Sequence, residues 1–195
     1  MPGMATAPPI HVAKLGGSLL DLDDLPAQFA RWCESDFHGH RVLVIGGGRP
    51  ADAVRDVDQR FGLDEEAAHW LAIEAMQLNA HMFAIVLPNV SLAVMPGACR
   101  RIWDAGQVAL VDPLSWLAHE HAAGVTIPHR WSFTSDSVAA HIAMQLQAAK
   151  LTLLKSTLRA DITTRQQASD AGLVDGDFPS ASAHVQVVEL LNLRD

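Results

Sequence analysis

The sequence predicts an α/β fold built on a mostly parallel sheet. Three observations carry that expectation. Short apolar runs alternate with helical periodicity along almost the whole chain. Two of these runs, residues 11–15 and 41–45, each end in glycines and lead into a helix, so both strand–glycine–helix units have the same polarity. The second run, Arg-Val-Leu-Val-Ile, is nearly continuous apolar, as a strand covered on both faces must be.

The elements follow in order. A first strand over 11–15 runs into Gly16-Gly17-Ser18. A helix over 25–34 has Asp23 or Asp24 as its cap, Pro26 in its first turn, and Phe29, Trp32 and Cys33 on one face. The strand over 41–45 ends at Gly46-Gly47-Gly48-Arg49-Pro50 and feeds a helix over 51–61. A long helix over 64–83 carries Ala67, Trp70, Leu71, Met76, Leu78 and Met82, which predicts burial on more than one side. Short strands are expected at 92–95 and Val108–Val111, with a Pro96-Gly97 turn between them. Asp112-Pro113 opens a helix over 114–121, and 126–127 is a candidate edge strand. A polar, aromatic loop over 128–137 precedes a strongly periodic helix over 138–148 and a strand over 151–154, which ends at Lys155-Ser156. A weak helix over 164–171, a Gly/Asp/Pro loop over 172–179 and a strand over 185–191 complete the pattern.

Composition narrows the function classes. With 195 residues, 49% of them apolar, the chain suits one domain with a large core. The formal charge of −8 and the lack of any Lys/Arg run argue against nucleic acid. No uncharged apolar run reaches membrane-spanning length. Residues 1–10 read as a flexible tail rather than a leader, and residues 11–195 as a single domain. Two cysteines, Cys33 and Cys99, fit free thiols and the cytoplasm. The ten histidines show no His-x3-His or His/Cys cluster, so no protein-held metal is expected.

The chain has only three lysines against eleven arginines, and Lys14 and Lys155 close apolar strands. A compact ammonium there, beside glycine turns that let backbone N–H groups approach a ligand, makes a physical cradle for phosphate. Plain tight turns and solvated lysines account for the same residues. Gly46–Ala51 also matches the dinucleotide pattern G-x-G-x-x-[GA]. That fold needs an acidic residue ending the next strand about 20 residues on. Here Asp64, Glu65 and Glu66 open a helix instead, and a strand precedes the fingerprint. Asp136, in Thr134-Ser135-Asp136-Ser137, suits either a first-turn helix carboxylate or a partner for both lysines.

Four motifs in order then resemble the amino acid kinase superfamily, which includes acetylglutamate, aspartate and uridylate kinases. They are Val12-Ala13-Lys14-Leu15-Gly16-Gly17-Ser18, Val44-Ile45-Gly46-Gly47-Gly48, Thr134 to Ala140, and Leu153-Leu154-Lys155-Ser156. Gly46 to Asp52 and Ala68 to Met76 most resemble the small kinases of methanofuran-type cofactor biosynthesis, which phosphorylate an aminomethylfuran-methyl phosphate. The resemblance implies a three-layer αβα sandwich, an ATP γ-phosphoryl donor with Mg²⁺ carried by the nucleotide, and a small phosphorylated or carboxylated acceptor. It implies that Lys14 and Lys155 neutralise the transferring group, that Asp136 orients them, and that Gly16, Gly17, Ser18, Gly46, Gly47 and Gly48 bind phosphate. Arg49, Asp52, Trp131, Ser132 and Thr134 become candidates for the acceptor. The acceptor half would span about 11–134 and a shortened nucleotide half about 135–195, where Arg159 or Arg165 would replace the family's nucleotide lysine. The apolar 64–83 helix offers a face for a homo-oligomer. A binding or assembly protein that has lost ATP turnover is the alternative reading.

Overall fold

The structure is a computed structural model, and it describes residues 7–159 and 161–194. Of the expected tail, residues 1–6 lie outside the described residues, while Ile10 already belongs to the first strand.

Among the described residues six strands form one sheet: β1 (Ile10–Leu15), β2 (His40–Ile45), β3 (Val90–Ala93), β4 (Val108–Val111), β5 (Lys150–Lys155) and β6 (Val187–Asn192). Every pairing is parallel, in the order β3-β4-β2-β1-β5-β6. Among the described residues eight helices flank them: α1 (Leu25–Ser35), α2 (Gly48–Phe61), α3 (Glu65–Val86), α4 (Cys99–Asp104), α5 (Pro113–Ala122), α6 (Ser135–Gln145), α7 (Arg165–Asp170) and α8 (Phe178–Ala181). Short 3₁₀ turns occupy Gly17–Leu19 and Pro96–Ala98.

Strand alternation builds two cores. Val12, Val42, Val44, Leu151 and Leu153 face α5 and α6, packing on Trp116, Val138 and Ile142. Ala13, Leu15, Leu43, Ile45 and Leu154 face the other way, onto Leu25, Phe29 and Trp32 of α1. The result is the expected three-layer αβα sandwich. The same alternation sets the site. Lys14 lies two residues beyond Val12, and Lys155 two beyond Leu153, so both point to the α6 side of the sheet. Lys14 is in register with Leu153, which puts the two lysines on neighbouring strands near the carboxyl edge.

Several expectations need correction. Residues 126–127 form no strand. The 172–179 loop contains the start of α8, and α4 follows the Pro96-Gly97 turn. α3 is not buried all round: Ala68, His69, Ala72, Ile73, Met76, Asn79 and Ala80 are buried, while Leu71, Leu78 and Met82 are exposed. An apolar sequence all round a helix cannot indicate which face is covered, and here one face is left open.

Candidate functional site

Three charged side chains meet at the carboxyl edge of β1 and β5. The Nζ of Lys14 lies 2.9 Å from Oδ1 of Asp136. The Nζ of Lys155 donates to Oδ1 and Oδ2 of Asp136 at 2.8 and 2.9 Å. All three are nearly covered, with side-chain exposures of 4%, 12% and 8% for Lys14, Lys155 and Asp136. Both readings of Asp136 therefore hold at once: it sits in the first turn of α6, and its carboxylate joins the two lysines. Burial opposes its ionisation, but Lys14 and Lys155 outweigh burial and hold its carboxyl below the ordinary range. Burial, and then the Lys14 charge, push Lys155 down to about 8, with Asp136 opposing both.

The glycine turns divide into two groups. The N–H of Gly16 donates to the Leu154 carbonyl, and that of Gly46 to the Leu15 carbonyl, both at 2.9 Å. These two extend the sheet and are not available to phosphate, which corrects the expectation for them. Among the described residues, no acceptor takes the N–H of Gly17, Ser18, Gly47 or Gly48. These four groups open the 3₁₀ turn and α2, where helix N-termini leave donors free. The two turns touch. A Cβ on Gly17 would lie 2.6 Å from the Gly48 nitrogen, and Gly48 has a φ of +48°. Glycine is required at both positions by space and by backbone conformation. Asn79 of α3, fully buried, locks the second turn by donating to the carbonyls of Gly46 and Gly47 at 2.7 Å each.

Two adjoining cavities share Gly17 and Thr134. One holds the lysine–aspartate cluster, together with Gly16, Ser18, Ser156 and Asp175. The other opens between α2, α3 and the 130–135 segment. Its apolar wall is Ile73, Met76 and Phe133, and its polar groups are Asp52, Arg55, His69 and Arg130. Arg55 lies 5.0 Å from the Trp131 ring centre and pairs with Asp52 at 2.7 Å. Trp131 in turn donates from Nε1 to Asp58 at 2.7 Å.

Of the five acceptor candidates, Asp52, Trp131 and Thr134 line this cavity. Arg49 does not: it is exposed and pairs with Asp21 at 3.1 Å. Nor does Ser132, whose hydroxyl donates to Asp177 at 3.0 Å. The two arginines expected to stand in for a nucleotide lysine are engaged elsewhere. Arg159 pairs with Asp161, and Arg165 donates to the carbonyls of Ser182 and Val185. Sequence reasoning missed Arg55, His69, Arg130 and Asp175. A usable signal existed for Arg55, which lies one helical turn from Asp52 behind the second glycine turn. None existed for Asp175, which reaches the site only through the return of the chain after β5.

Comparison with known proteins places this geometry. Residues 9–157 match the model of the amino acid kinase family. The [5-(aminomethyl)furan-3-yl]methyl phosphate kinase of Methanocaldococcus jannaschii is 27% identical over 143 residues, covering 73% of this chain and 63% of that protein. A uridylate kinase of Methanosarcina barkeri is 30% identical over 158 residues, covering 74% of this chain and 59% of that protein. The chain thus spans about three fifths of these two relatives. Among solved structures, uridylate kinase from Archaeoglobus fulgidus superposes with a TM-score of 0.65 at 18% identity, covering 94% of this chain and 92% of that one. Aspartate kinase from Synechocystis gives 0.65 at 14% identity, covering 95% and 38%. At these identities the two structures establish the fold.

Proposed function

The chain belongs to the amino acid kinase family, and on that premise we propose that it transfers the γ-phosphoryl group of ATP directly to a small acceptor. The observation that carries this reading is the pair of buried ammoniums, Lys14 and Lys155, joined by the single carboxylate of Asp136 and bracketed by unpaired N–H groups from two glycine turns. Phosphoryl transfer needs positioning and charge stabilisation rather than a covalent nucleophile. The lysines would neutralise charge on the moving group, and Asp136 would hold them in place. Gly17, Ser18, Gly47 and Gly48 would receive phosphate oxygens. Mg²⁺ would arrive on the nucleotide, because the lysines already engage the carboxylate of Asp136.

For the acceptor we propose a small flat ring bearing a phosphate, of the kind that the Methanocaldococcus relative's name describes. Arg55 and Arg130, paired with Asp52 and Asp177 here, would turn to a bound phosphate in the second cavity, and Ile73, Met76, Phe133 and Trp131 supply apolar contact. In this reading residues 11–134 form the acceptor half and 135–195 the nucleotide half of one domain, consistent with a second cavity lined by residues 17–135. We further propose a homo-oligomer formed over the open apolar face of Leu71, Leu78 and Met82. No helix among the described residues is long and apolar enough to cross a membrane, and both cysteines are free thiols, which suits the cytoplasm.

A second reading, ligand binding without turnover, draws on one observation: Arg159 and Arg165 are tied to other groups and leave the nucleotide side without the expected cation. Phosphorus NMR of Mg-ATP mixed with [5-(aminomethyl)furan-3-yl]methyl phosphate separates the two. Turnover gives ADP and a new diphosphate signal with the wild-type chain and neither with Lys14→Ala. An unchanged ATP spectrum with the wild type would leave the binding reading.

A further inference from the structure

Asp175 belongs to none of the four motifs, yet it is wired into the cradle more densely than any other side chain. It lies on the loop between α7 and α8. Its Oδ2 accepts from the Thr134 N–H at 3.1 Å, the Thr134 hydroxyl at 3.0 Å, the Asp136 N–H at 3.1 Å and the Ser137 N–H at 3.0 Å. Its Oδ1 accepts from the Ser137 hydroxyl. This carboxylate supplies the cap for α6 that the Thr134 side chain does not give. Burial, and then the neighbouring Asp136 charge, push the Asp175 carboxyl above its ordinary range, while the hydrogen bonds from Ser137 and Thr134 oppose that shift and favour the ionised form. Asp177, two residues on, accepts both Arg130 nitrogens at 2.7 and 2.8 Å, and its N–H donates to the Ser132 carbonyl at 2.8 Å. The segment thus grips the stretch that presents Trp131 to one cavity and Asp136 to the other.

We propose that Asp175 is a positioning residue of the phosphate cradle: its carboxylate, bound across the α6 N-terminus, fixes Asp136 between Lys14 and Lys155 and places a second negative charge beside Lys155. This rests on the kinase reading only for its consequence in turnover. The charges facing Lys155 come from three elements: Lys14 on β1, Asp136 on α6 and Asp175 on the α7–α8 loop. Two ammoniums meet two carboxylates. Neutralising Asp175 leaves two positive charges and one negative in a covered site, and Lys155 then sheds its proton more readily.

The chain's three lysines make this directly readable. Selective ¹³C labelling of lysine gives one Cε signal each for Lys14, Lys150 and Lys155. Lys150, paired with Glu189 at the opposite end of β5, is the internal control. In Asp175→Asn the Lys155 midpoint falls from about 8 by roughly one unit, and the Lys150 midpoint stays where it was. A folded Asp175→Asn protein with a lower melting temperature and an unmoved Lys155 midpoint would overturn the proposal, because a purely structural cap predicts that pattern. Should that variant not fold, Ser137→Ala removes one hydroxyl donor from the same carboxylate. A lower Lys155 midpoint supports the proposal there, and an unmoved one overturns it. The titration needs neither ATP nor acceptor, so absence of phosphoryl transfer by the wild type would count against the kinase reading and leave this result standing.

Discussion

Replacing Asp136 by Asn removes the one carboxylate that Lys14 and Lys155 share. The two contacts are 2.9 and 2.8 Å long and nearly dry. Stripping one member from a buried ion pair costs about 3–5 kcal/mol, because the partners stay desolvated. The upper part of that range applies here, since two ammoniums are left facing each other. The penalty depends on pH, and the sign follows from proton counting. Unfolded lysine titrates near 10.5, and folded Lys155 at about 8. Without Asp136 its folded midpoint drops further. Between the variant's midpoint and 8, the unfolded state binds a proton that the variant's native state does not, so the variant gains stability as pH rises. The wild type gains nothing in that window. The difference between the two proteins therefore shrinks by about 1.4 kcal/mol per pH unit across it. Urea unfolding followed by tryptophan fluorescence at pH 6, 7 and 8 measures both effects. A penalty below about 1 kcal/mol at pH 6, or one that does not change with pH, would refute the reasoning, since a desolvated pair typically costs several-fold more.

Other expectations follow from the packing around the same turns. Gly17→Ala drives a Cβ to within 2.6 Å of the Gly48 nitrogen, backbone against backbone, and should destabilise the chain by roughly 2 kcal/mol or more, read as a fall in melting temperature. An unchanged melting temperature would mean that the turns can separate freely. Asn79→Leu strands the carbonyl of Gly46, while that of Gly47 keeps the Ala51 N–H, at a cost of about 1–3 kcal/mol measurable by the same unfolding assay. Burial pushes the thiols of Cys33 and Cys99 up to about 12 and about 11, so both should resist a disulfide reagent at pH 8 and react once urea is added. Leu78→Glu on the open face of α3 should reduce the assembly seen by sedimentation to a monomer, and a wild type that is already monomeric would remove the proposed interface.

The parts of this molecule legible in the sequence are those written in local pattern. The alternation of strands with helices predicted a mostly parallel α/β sheet, the family resemblance implied its three layers, and the two glycine turns predicted which sheet edge carries the site. The family resemblance picked out Lys14, Asp136 and Lys155, and the structure brings them within hydrogen-bonding distance. What escaped was set by long-range closure. Leu71, Leu78 and Met82 share a helix with buried residues, and no local rule distinguishes their face. Gly16 and Gly46 look like Gly17 and Gly47 until the register shows that their N–H groups extend the ladders to β5 and β1. Arg49 and Arg55 both follow the second turn, but only Arg55 lies on the α2 face turned to the cavity. Asp175 was visible only as one acidic residue among several in the 161–177 stretch.

The central claim is that the cradle of Lys14, Asp136 and Lys155 binds the phosphates of ATP. Calorimetric titration of Mg-ATP into the wild-type chain and into Lys14→Ala tests it most directly. The account predicts saturable one-site binding by the wild type, weakened at least about tenfold in the variant, since a charge-assisted contact is worth about 1.5–3 kcal/mol. Equal affinity in the two proteins, or no binding heat from folded wild type, would contradict it.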